Sequence, residues 1–224
     1  MQLISFVSYR LSAPRHRKSC AHQLPGGTVV PMPPLTTPGQ TLDPVPIRNV
    51  CADPGLLDPT LAMLVRASAD DDLCEATYLP SNLTHETALA YLSAQPASSW
   101  VLFLDAVPCG LYLLEPVASA IGIDLPPHTF EREVWLLPEF RGRSIINSAT
   151  SLLTKDLVYH GVQNILSVAW ESNRAAISSL DRSPFTPLGR VWWSREGFTP
   201  GWCLAYLLDT QDHHASTESG RHSH

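Results

Sequence analysis

The chain has 224 residues, with 15 Lys+Arg against 21 Asp+Glu and a formal net charge of −6. That length suits one ordinary domain with tails, and a hydrophobic share of 44% excludes a wholly disordered chain. The acidic balance gives no reason to expect nucleic acid, and no apolar run approaches the roughly 18–20 residues of a membrane-spanning helix, so a soluble protein without a membrane partner is expected.

Five cysteines (Cys20, Cys51, Cys74, Cys109, Cys203) are scattered without a CxxC pair. This spacing argues against a disulfide framework or a zinc site and fits a reducing, cytoplasmic setting. Residues 1–50 hold five basic residues and one acid, and the first 60 residues hold ten of the twenty prolines. Proline removes backbone donors and bars its predecessor from the helical region. Residues 1–46 therefore read as a flexible, Pro-rich basic extension. Its acid-free, Ser- and Arg-containing start resembles a mitochondrial transit peptide, a minority reading beside a cytoplasmic one. Pro31-Met32-Pro33-Pro34 is too short to carry a docking role.

The folded segment is expected over 47–209. A short helix over 58–67 follows a cap at Asp58, and a second runs over 84–92 with Thr84 as its cap. Two apolar strands, 100–104 and 110–114, lie close enough for an antiparallel hairpin, and a third runs over 130–137. From Ser144 to His160 apolar residues recur every three or four positions, and Gly161 suits the stop. A strand over 164–170 follows, so strand, helix and strand form a parallel crossover. A short helix after Asn173 and strands around 191–193 and 203–208 complete a sheet whose paired final strand could join two copies in a homodimer. Residues 210–224 read as a polar disordered tail, with His213, His214, His222 and His224 lacking the apolar company that orders a metal site.

The most informative stretch is Leu136-Leu137-Pro138-Glu139-Phe140-Arg141-Gly142-Arg143-Ser144-Ile145-Ile146, where a strand ends and an Arg-Gly-Arg turn opens into the amphipathic helix. The first amides of such a helix lack internal partners and carry partial positive charge, which makes a natural anion site, above all for a pyrophosphate. A surface turn with two solvated arginines is the other reading of the same residues.

The order of elements and this turn resemble the GNAT acyltransferase superfamily, whose signature V-x-P-E-Y-R-G-R-G-x-G is similar to residues 136–143. Weaker matches are Asn173 with Ala176, and Gly197-Phe198-Thr199-Pro200, similar to a late G-F-x-P. The resemblance covers roughly residues 47–209. It implies an α/β fold with a mixed, mostly antiparallel sheet, a central splayed parallel pair and flanking helices. It implies transfer of an acetyl or related acyl group from acetyl-coenzyme A to an amine of a small molecule or protein, by direct attack in a ternary complex and without a metal. Leu136 and Leu137 would offer main-chain groups to the pantetheine arm. Arg141, Gly142, Arg143, Ser144, Ile145 and Ile146 would hold the pyrophosphate, and Asn173 would lie near the thioester. Ser144 and Ile146 stand where the family usually has glycines, and a β-branched Ile146 either turns into the core or displaces the cofactor.

Glu131 and Glu133 lie where the family often places its base, and alternation puts both on one face with Arg132 opposite. Glu133 is the preferred base, Glu131 the second candidate, and solvated strand-end charges the other reading of both. The family's usual acid, a tyrosine, is replaced by Leu180, with Tyr206 or a water as substitute. Arg132 and Arg190 could grip a carboxylate, and Trp192, Trp193 and Trp202 could line an acceptor pocket or simply pack the core. Ser178 and Ser179 lack a G-x-S-x-G elbow, and His85, His128 and His160 lack ligand spacing. The rival function is a catalytically silent module of the same shape that binds coenzyme A or a protein partner.

Overall fold

A computed structural model describes residues 40–117, 119, 121–196 and 198–213. The transit-peptide-like start, the Pro-rich run, Cys20, Gly197 and the last three histidines lie outside the described residues. The elements in chain order are β1 (Leu42–Pro46), α1 (Ile47–Ala52), α2 (Pro54–Ala67), α3 (Asp71–Ala76), α4 (His85–Ser93), β2 (Ser99–Leu104), β3 (Val107–Pro116), β4 (Thr129–Leu136), α5 (Ile145–Tyr159), β5 (Asn164–Trp170), α6 (Arg174–Leu180), β6 (Thr186–Trp193) and β7 (Gly201–Asp209).

All seven strands join one sheet in the order β1-β2-β3-β4-β5-β7-β6. Every neighbouring pair is antiparallel except β4 and β5. That parallel pairing is short, running from Thr129↔Asn164 to Arg132↔Ser167. Beyond it β4 stays with β3 and β5 stays with β7. The two central strands therefore part into a V that opens toward the carboxyl end of β4.

Alternation along the strands sends Val101, Phe103, Leu111, Leu113, Trp135 and Leu137 to one face, where they bury Ile47, Leu64, Leu73 and Leu92 from α1 to α4. Leu102, Leu104, Tyr112, Leu114 and Leu136 go to the other, against Ile145, Ala149, Leu153 and Leu157 of α5 and Ile177 and Leu180 of α6. A smaller group on the first face, with Leu166, Val191, Trp193 and Cys203, lies beneath β5 to β7.

Three sequence expectations change. Leu42–Pro46, assigned to the extension, pairs with β2 as the outermost strand, and Thr41 N–H donates to the Asp105 carboxylate at 2.8 Å. Pro44 and Pro46 are tolerated because an edge strand leaves half its donors without a partner strand. Helix α2 begins four residues earlier than expected, with Asp53 accepting from Gly55 N–H at 2.8 Å and Pro59 inside the helix. The tail does not start at 210: Thr210 is fully buried, and its hydroxyl donates to the Val162 and Gln163 carbonyls.

Candidate functional site

Leu137 leads into a single 3-10 turn, Pro138–Phe140, and the chain then bends through Gly142 (φ +75°) and Ser144 (φ +54°) into α5. The left-handed Ser144 cannot use its side chain as a cap and makes no such bond, so the first amides of this 15-residue helix have no side-chain cap. A Cβ built on Gly142 would meet nothing within 4 Å, so the turn faces open space. Ile145 is buried and Ile146 is half-buried against the α5-side core. The branched side chain is thus turned toward the core.

The two arginines are not equivalent. Arg141 folds back, donating from Nε to the Leu136 carbonyl at 3.1 Å and lying 3.6 Å from the Asp70 carboxylate. Arg143 stays exposed and leans on the Phe140 ring, 5.8 Å from its centroid. Beside the turn, Arg66, Ala67, Ala69, Asp70, Leu137, Pro138 and Glu139 line a cleft of about 250 Å³, and Arg66 pairs with Glu139.

The register of β4 fixes which of its peptide groups look into the V. Leu137 N–H donates to the Cys109 carbonyl at 2.9 Å, and Trp135 O lies against Gly110. Odd-numbered residues therefore bond β3, while Val134 and Leu136 present their groups to the open side, the Leu136 carbonyl there already accepting from Arg141 Nε. Leu137 N–H is already taken, which corrects the expectation that both leucines face the ligand. Val134 carries no signal of this in the sequence, because the parity depends on the pairing partner.

Glu131 and Glu133 share a face, as alternation requires, but their surroundings differ. Glu131 is 4% exposed, and its two oxygens accept from Ser119 Oγ (2.8 Å) and Trp193 Nε1 (3.2 Å). Glu133 accepts from Tyr78 N–H (2.8 Å) and borders a cavity of about 130 Å³ lined also by Tyr91, Leu113, Glu115, Arg195 and Phe198. Burial raises the Glu133 carboxyl to about 7, with the Tyr78 bond opposing this, Glu115 adding to it and Arg195 reducing it. Arg195 bonds Glu115 at 2.6 Å and stacks 4.3 Å over the Tyr78 ring. Tyr78, Tyr91, Arg195 and Phe198 come from segments distant in sequence, and of these only Phe198, in the late G-F-x-P match, falls in a local motif.

On the opposite face, Asn173 Oδ1 accepts from Ala176 N–H at 3.0 Å and caps α6. Leu180 is core, and Tyr206 donates to Asp181 at 2.8 Å, with burial and that carboxylate driving the phenol well above its ordinary range. Burial pushes the Cys109 and Cys203 thiols up to about 12, which leaves neither as a ready nucleophile. Trp193 lies under the acidic cavity beside Phe198, whereas Trp192 and Trp202 meet edge to face at the surface. Arg190 lies over Trp202 and grips Glu171 with two bonds, at 2.6 and 3.0 Å. Among the described residues no group of three or more His, Cys, Asp or Glu could hold a metal ion, and no helix is long and apolar enough to cross a membrane.

Neither a protein-family model nor a curated protein matches the chain. Solved structures do match it. One is a GNAT-family acetyltransferase from Bacillus anthracis, 10% identical, spanning 77% of this chain and 95% of that one with a TM-score of 0.53. Another is the Salmonella typhimurium acetyltransferase that modifies the N-terminal serine of ribosomal protein L7/L12 (16% identity, 79% and 97% coverage, TM-score 0.54). A third is the aminoglycoside acetyltransferase AAC(6')-Ib in complex with coenzyme A (16% identity, 77% and 96% coverage, TM-score 0.52). The chain has the GNAT fold: a seven-stranded mixed sheet with a parting parallel pair between helical layers.

Proposed function

We propose that this chain is an acyl-coenzyme A-dependent N-acyltransferase that transfers acetyl to an amine by direct attack in a ternary complex. One observation carries the reading: the V between β4 and β5 has an uncapped helix start at its mouth and, on one face, a carboxylate tuned to about 7 beside a cavity. The fit is chemical. Diphosphate needs amides and cations, which the turn of Gly142 to Ile146 and Arg143 would offer. The arm needs strand-edge groups, which Val134 and Leu136 would offer. The thioester supplies an activated acyl carbon.

The protein's share is positioning and proton handling. Glu133, half ionised near neutrality, takes the proton that the neutral amine loses on attack, since a base is most useful when its pKa lies near the working pH. Glu131 is held by two donors and serves to fix the strand. Tyr78, Tyr91 and Phe198 give the acceptor an aromatic wall, and Glu115 with Arg195 sets its polarity. The enzymes of like fold act on a ribosomal protein terminus and on aminoglycosides, so amines of quite different size are within the reach of this architecture. All four described cysteines are unpaired, which fits the cytoplasm.

Thiol release from acetyl-coenzyme A across a panel of amines tests the reading. Release that depends on the amine and falls 10²–10⁴-fold in Glu133→Gln supports it. A folded chain that releases no thiol with any amine overturns it. The silent coenzyme A-binding module is favoured by one observation, the absence of a phenol at Leu180, and calorimetric binding without turnover would establish it.

A further inference from the structure

Arg132 is the last paired residue of β4 before the V opens, opposite Ser167 of β5. Its side chain is 6% exposed and points to the α5 side, away from the glutamates. Two hydroxyls accept from it, Thr150 Oγ1 at 3.0 Å and Ser167 Oγ at 3.1 Å, and the Phe185 and Tyr112 rings lie 4.4 and 5.8 Å from its guanidinium carbon. Nε has no partner. Among the described residues no carboxylate pairs with it. A buried guanidinium without a counter-charge is strongly unfavourable, and hydrophobic replacements of similar volume are usually tolerated. The two rings offset part of that cost, but among the described residues no anion calls for a cation here.

We propose that Arg132 receives the negative charge of the departing thiolate, in place of a proton-donating acid. This rests on the acyltransferase reading above. If diphosphate sits at the wide mouth of the V, the arm runs inward and its sulfur ends near the rung where the strands meet, which is the rung of Arg132. Attack comes from the glutamate face. The amine lone pair forms the N–C bond, Glu133 takes the amine proton, and the C–S bond breaks with its electron pair kept by sulfur. The products are an amide, protonated Glu133 and a thiolate, and no further reagent is needed. On the receiving face Leu180 has no proton to give and Tyr206 is committed to Asp181. A guanidinium stays charged at all working pH values, so it acts as a counter-charge and not as an acid.

The test reads coenzyme A itself, without turnover. Ultraviolet thiolate absorbance of coenzyme A bound to the full chain is followed against pH, with desulfo-coenzyme A as the blank that cancels the protein's own thiols and phenols. Of the groups that face Arg132 from β3, α5, β5 and the segment before β6 (Tyr112, Thr150, Ser167, Phe185), only Tyr112 carries an ionisable group. The bound thiol is expected to ionise about 1 unit or more below free coenzyme A, as a thiol beside a cation does, and Arg132→Met is expected to abolish that shift while coenzyme A still binds. A bound thiol that ionises at or above the free value overturns the proposal from the unaltered protein alone, whether or not the variant folds. An equal shift in Arg132→Met overturns it too. Failure of coenzyme A to bind at all, seen by calorimetry, overturns the acyltransferase reading instead, and this inference with it.

Discussion

Replacing Glu133 by glutamine should stabilise the fold above neutral pH while destroying the activity proposed for it. The carboxyl ionises near its ordinary 4.5 in the unfolded chain and at about 7 in the folded one, burial being the largest cause. Between those values the native state holds more protons than the unfolded state, so this group's contribution to stability falls as pH rises through that window. Once pH exceeds about 7 the whole cost is present, about 3 kcal/mol. Glutamine keeps an oxygen for the Tyr78 N–H, now 2.8 Å from the carboxylate, and the attraction to Arg195 is already contained in the value of about 7. The variant should therefore be about 2–3 kcal/mol more stable than the parent at pH 8 and equal to it near pH 4. Urea unfolding at pH 4, 6 and 8 measures the difference. A gap that does not change with pH, or a parent as stable as the variant at pH 8, would refute the assignment of a buried, strained carboxylate.

Three further outcomes follow from the geometry. With a good amine acceptor, kcat/KM should rise tenfold per pH unit below about 7 and level off above it, since the base works only when deprotonated; a flat profile would remove Glu133 from the proton path. Gly110→Ala should cost at least about 2 kcal/mol, because its Cβ would lie 2.1 Å from the Trp135 carbonyl oxygen, a backbone atom that cannot step aside; chemical denaturation reads this directly. Trp193→Phe removes the 3.2 Å bond to Glu131 and leaves that buried carboxylate with Ser119 as its hydrogen-bond donor, for a loss of about 1–3 kcal/mol. A calorimetric melt of that variant indistinguishable from the parent would show the indole bond to be dispensable.

The elements built on strong periodicity were legible in the sequence. The apolar runs of β2 and β3, the three-and-four spacing of α5 and the alternation that puts Glu131 and Glu133 together all reappear in the structure to within a few residues at the element ends. What escaped was short or non-local. Helices α1 and α3 have six residues each, too few for a period to register. Strand β1 carries two prolines that read as a breaker until its edge position is known. The wall of the acidic cavity brings Tyr78, Tyr91 and Arg195 to Glu133 from across the chain, and the parity that selects Val134 over Leu137 depends on which side β3 occupies. Arg132 was visible as a charge opposite the glutamates, but its isolation was not, because the absence of a nearby carboxylate is a property of three dimensions.

The outer strands also govern how this molecule can meet others. At one border Pro44 and Pro46 offer no N–H to a newcomer, and at the other the ladder slips between Pro187 and Gly189. An approaching chain would find a broken template on both flanks. Self-recruitment into fibrils is thereby discouraged, and an associate that lengthened the sheet would forgo backbone bonds at either flank.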